Sequence, residues 1–191
     1  MSTPERGRRL ALLLAAALTL PSAGLAGGKL GAEPIAPRLG QPVGAADAAR
    51  SDLNVYPDGR GLPPGHGNAA QGKALYDAQC AVCHGPAGRG ASAEELAGGS
   101  EPLTSEAPDK TVGLYWPHAT TLFDFIRRAK PMFAPGALGA DEVYALSAYL
   151  LHLNGLVGAD DELNARTLPA VRMPNRAGFV GIDAQAPAAA R

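Results

Sequence analysis

Only two of the 191 residues are cysteines, Cys80 and Cys83. A structural zinc site built on two cysteine pairs is therefore excluded, because no second pair exists. A disulfide between the two would close too small a loop to stabilise much. Charge is also scarce, at 18% of residues, and the formal net charge is -1. No basic patch marks a nucleic-acid surface. After the N-terminal region no segment is apolar enough to span a bilayer. No βαβ pattern surrounds the cysteines, which argues against a thioredoxin-like redox pair. Methionine is rare, with Met1, Met132 and Met173 making up the whole set.

Glycine (24) and proline (17) are abundant instead, so long irregular stretches are expected. The chain begins with a basic region at Arg6, Arg8 and Arg9, then an apolar run from Leu10 to Leu20, then Gly24-Leu25-Ala26. That order predicts a secretory signal peptide over residues 1–26, cut after Ala26, with no membrane segment after cleavage. Residues 27–52 hold few large apolar side chains and are read as a flexible linker or extended arm. The expected folded domain covers residues 53–157. Residues 158–191 are read as an irregular C-terminal extension.

Leu53 to Gly67 reads LNVYPDGRGLPPGHG, rich in turn residues, and predicts an ordered loop lying on the domain. Asn68 is a helix N-cap, and the helix runs from Ala69 to about Cys80. Ala70, Ala74, Leu75 and Ala78 fall near one face of it, with Tyr76 beside them. Gly72 costs about 1 kcal/mol there relative to Ala, and lets another helix come close. A second helix is expected over Thr120–Ala129, ended by Pro131. The strongest helix signal is Asp141–Leu153, with Val143, Leu146, Leu150 and Leu153 in one stripe and Asn154-Gly155 as its stop. Tyr76, Tyr144 and Tyr149 are placed where the first and last helices cross. The fold class is all-α. So few helices for the length suggest that something other than side chains fills the centre.

Cys80-Ala81-Val82-Cys83-His84 is C-x-x-C-H, the attachment signature of c-type haem. Two thiols at this spacing reach the two vinyl groups of one porphyrin, and the next residue aims its imidazole at the iron. One covalent haem c is expected, held by Cys80, Cys83 and His84. An electron carrier commonly fills the sixth position with Met. Met132, between Pro131 and Pro135 after the second helix, is the favoured ligand. Met173, Lys130, His118 and an open site are the alternatives. His66 is read as solvated, and His152 as an aid to its helix C-terminus. Tyr115, Trp116 and Pro117 are read as core or haem packing. Arg127 and Arg128 are read as helix-end residues, with a haem propionate or a docking contact as the sharper role.

Five runs together resemble one family: LNVYPDGRGLPPGHG, the haem motif, TVGLYWPHATTLFDFIRRA, DEVYALSAYLLHLNG and MPNRAGF. The chain is similar, from about Leu39 to Val180, to the cytochrome subunits of sulfite dehydrogenase and of the Sox-type sulfur dehydrogenase. The resemblance implies a class I cytochrome c-like domain with long terminal extensions. It also implies a molybdopterin dehydrogenase subunit as electron donor and another cytochrome c or an oxidase as acceptor, in the periplasm. Catalysis at sulfur would belong to the partner. Two departures stand out. The Sox subunit usually carries a second haem domain, and this chain has a single C-x-x-C-H. The family's distal RAMP is here Arg128-Ala129-Lys130-Pro131, so Lys130 stands where the family has Met. A free-standing electron shuttle and an open-site haem enzyme or gas binder are the rival readings.

Overall fold

The computed structural model describes residues 40–180. The expected signal peptide, the linker up to Leu39 and residues 181–191 lie outside the described residues. From Val43 onward the chain forms one compact unit. Among the described residues its regular structure is almost entirely helical, set between long loops. The helices are α1 (Ala45–Ser51), α2 (Ala69–Gln79), α3 (Ala81–His84), α4 (Val112–Tyr115), α5 (Ala119–Ala129) and α6 (Ala140–Leu153). Single 3-10 turns cover Pro86–Gly88 and Leu168–Ala170. None of the described helices is long and apolar enough to cross a membrane.

The helix α1 lies inside the segment read as linker. Its alanines favour helix even where little is buried. α2 starts as expected: Asn68 accepts from Gln71 N, and the Gln71 side chain accepts from Asn68 N, both at 3.0 Å. Its buried stripe is Ala69, Gly72 and Tyr76, with Leu75 half-buried. Ala70, Ala74 and Ala78 point to solvent, so the face read from the alanines is the outer one. Small size misled that reading, because the crossing helix selects Gly and the large aromatic. A Cβ at Gly72 would collide with the carbonyl of Ala145 on α6, which is why no side chain stands there. Tyr76 and Tyr149 meet at this crossing, ring centroids 5.3 Å apart, and Tyr144 meets Phe123 at 4.5 Å.

α6 is the central element. Every residue from Val143 to Leu151 is buried, more than the single stripe expected. The Glu142 carboxylate accepts from Gly139 N at 2.8 Å, and Asp141 accepts from His66 N at 2.8 Å. Asn154 ends the helix, and Gly155 follows at φ +71°.

The core does not stop at 157. Leu163, Leu168, Val171 and Met173 are buried in the same cluster as α6. Leu163–Asn164 (β2) pairs antiparallel with His66–Gly67 (β1), the short strand that ends the segment expected to be loop throughout. The rest of that segment lies on the domain as expected. The Tyr144 hydroxyl donates to Pro63 O at 2.9 Å, and Arg128 donates to Asn54 at 3.1 Å.

Candidate functional site

A cavity of about 530 Å³ opens beside α2 and α6. Apolar side chains from α5 and α6 make much of its wall, among them Leu122, Ile126, Leu146 and Leu150. Trp116 and Phe125 line it as an edge-on pair 5.7 Å apart. The volume lies in the range of sites that take a small organic cofactor. Cys80, Cys83, His84 and Met132 all line this one cavity.

The cysteine turn is formed by the short helix α3, offset from α2 by the C-cap at Cys80. This helix leaves Val82 at 74% exposure and brings Cys80 and Cys83, both free thiols, to the wall. Burial pushes the Cys80 thiol up, against a smaller downward pull from Lys130. The following loop wraps the turn. Ala93 N donates to Cys83 O at 2.8 Å, and Gly90 N to His84 O at 2.8 Å. His84 Nδ1 lies 2.8 Å from Glu94 O. A carbonyl can only accept, so Nδ1 carries the proton and the Nε2 lone pair is left for a metal.

The loop after α5 supplies the other candidates. Lys130, Pro131, Met132 and Phe133 line the cavity. Met132 is 65% exposed, and Lys130 Nζ lies 5.4 Å from the centre of the Phe125 ring. The alternatives separate by position. Met173 is buried in the core and His118 stands at the N-terminal end of α5, and neither lines the cavity. Arg128 forms an ion pair with Asp124 at 2.9 Å within α5, and Arg127 is not on the cavity wall. Trp116 serves the cavity as expected, whereas Tyr115 is 37% exposed on α4 and meets Phe179. His66 is exposed, and His152 lies 3.2 Å from Val157 O at its helix end.

Three contributors were not singled out as site residues from the sequence. Tyr76 lines the cavity and donates from its hydroxyl to Gly85 O at 2.8 Å. Its position four before Cys80 was the available signal. The Glu94 carbonyl is a backbone acceptor and leaves no trace in residue type. Glu95 Oε1 is buried on the wall with no hydrogen-bond partner among the described residues.

The arrangement fits a c-type haem. It offers two thiols and a metal-ready imidazole on an apolar wall, with a soft thioether on the adjoining loop. Residues 69–154 match the family model described as cytochrome c. A chain of the crystal structure of the sulfane dehydrogenase SoxCD from Paracoccus pantotrophus matches with a TM-score of 0.71. The two are 40% identical, and the match covers 78% of this chain and 73% of that one. No curated protein matches.

Proposed function

The chain belongs to the cytochrome c family, and on that premise we propose that it serves a molybdopterin sulfite or sulfur dehydrogenase subunit as its electron acceptor. Membership carries the class I cytochrome c fold, covalently bound haem c and a role in electron transfer. When bound, the haem supplies one-electron redox chemistry at its iron.

The residues assigned to hold it are Cys80 and Cys83 through thioether bonds, and His84 through Nε2. Met132 would offer its thioether as the second side-chain ligand to the iron. The observation that carries this is the convergence of both thiols, the imidazole and Met132 on one apolar cavity. Leu122, Ile126, Leu146 and Leu150 keep water from the cavity interior and so limit reorganisation around a changing charge. Met132 is favoured over Lys130 because a thioether is a soft donor suited to reduced iron.

The proposed donor rests on the likeness to the SoxCD chain and on the shared runs at residues 53–67 and 111–155. The proposed acceptor is a second cytochrome c or an oxidase. The proposed compartment is the periplasm, supported by the basic, apolar and small-residue order of residues 1–26. Mixing the haem-loaded chain with the dehydrogenase subunit and sulfite or a sulfane donor tests the reading. Substrate-dependent haem reduction is expected. If the haem stays oxidised with an active partner present, the assignment of this donor fails.

A further inference from the structure

Tyr76 is fully buried, yet it carries a hydroxyl. A buried hydroxyl is costly unless bonded, and this one donates to the carbonyl of Gly85 at 2.8 Å. Gly85 directly follows His84. It sits at φ +73°, where a Cβ would run into the backbone of Gly90. Gly88 N donates to the same carbonyl at 3.2 Å. From there the loop reaches Gly90, which binds His84 O, and Glu94, which binds His84 Nδ1. Among the described residues, Tyr76 is the α2 side chain that ties this loop to the helix. Burial pushes its pKa up to about 12, so it stays a donor across the working range.

We infer that Tyr76 is a positioning residue for the His84 imidazole, acting through the Gly85 carbonyl and the loop that presents Glu94 O. A phenylalanine would fill the same space and keep the ring contact with Tyr149. The hydroxyl adds an anchor for the loop. With the anchor gone, the loop gains freedom and the His84 Nδ1–H bond to Glu94 O loosens. A less strongly bonded imidazole donates less to ferric iron, so the oxidised state loses stability relative to the reduced one. The inference rests on the haem site proposed above.

The test uses the full chain with haem attached, as wild type, Tyr76→Phe and Tyr149→Phe. The readouts are the midpoint potential and the ferric low-spin g-values from electron paramagnetic resonance. Tyr76→Phe is expected to shift the potential in the positive direction and to change the g-spread, with haem attached to the wild-type extent. Tyr149→Phe is expected to leave both unchanged, because the Tyr149 hydroxyl makes no bond to the loop among the described contacts. A Tyr76→Phe chain that only melts earlier, with potential and g-values unmoved, overturns the inference. Equal shifts in both variants overturn it too, since packing would then be the cause. If Tyr76→Phe alone fails to take up haem, the hydroxyl serves attachment and not potential. A wild-type chain that takes up no haem overturns the site reading itself, and this inference with it.

Discussion

The cysteine wall and the methionine loop of the cavity are built differently. Around Cys80–His84 successive carbonyls are taken: Cys83 O by Ala93 N, His84 O by Gly90 N, and Gly85 O by Gly88 N and Tyr76. The loop after α5 has short-range turn bonds, Ala134 N to Pro131 O and Ala137 N to Ala134 O. There Met132 is 65% and Phe133 82% exposed. One wall is fixed by a web of backbone and side-chain bonds that ties the loop to α2 and α3. The other is held, among the described residues, mainly by turn bonds within its own loop, with Leu138 packed against the core, and is the freer of the two to adjust. The difference teaches that the imidazole is presented by the fold, whereas the thioether is offered by a segment with little holding it.

The sharpest break of the comparison is removal of both thiols. Cys80→Ala with Cys83→Ala is expected to abolish covalent haem, read as loss of haem stain on a denaturing gel. Persisting stain would move the attachment elsewhere. Next come changes to the packed core that leave the cavity alone. Gly72→Val overpacks the α2–α6 crossing, and Met173→Ala opens a cavity in the core. Each is expected to lower stability by about 3 kcal/mol in a denaturant titration, with the haem spectrum unchanged.

Alkaline pH weakens the same core. Burial, offset in part by Arg127, pushes Tyr144 up to about 12, above the ~10 of an unfolded tyrosine. A group whose folded pKa is raised contributes below its unfolded value and loses that contribution as pH climbs. Stability is therefore expected to fall between about pH 10 and 12. Tyr144→Phe should flatten that descent by about 2 kcal/mol in melts taken across the range. The smallest stability effect belongs to the loop. Met132→Ala is expected to cost under about 1 kcal/mol while removing the ferric charge-transfer band of methionine ligation. A band that survives the substitution would move the ligand to Met173, and a wild type without the band would shift it to Lys130 or leave the position open.

Much of this was readable in the residues. Asn68 marked the start of α2, Pro131 closed α5 two residues past its end, and Asn154-Gly155 stopped α6. Local chemistry decided each of those points. The C-x-x-C-H spacing pointed to the cofactor for the same reason. What stayed hidden was long-range. The packing of Leu163, Leu168 and Met173 into the core cluster has no local pattern behind it, because the segment lacks a repeating period. Gly72 and Tyr76 were placed at the crossing, but Ala70, Ala74 and Ala78 were assigned to its face because alanine is as much at home on an exposed helix surface as in a core. The second bond of His84 was invisible because its partner is a backbone carbonyl.

The β1–β2 clasp also imposes an order in time. His66–Gly67 stands near the front of the domain and Leu163–Asn164 near its end, so their pairing waits until almost all of the chain is made. Cys80 and Cys83 emerge long before that. A growing chain thus presents its thiols while Leu163, Leu168 and Met173 have yet to seal the core. The clasp thus joins the two ends of the domain after its middle has had time to fold.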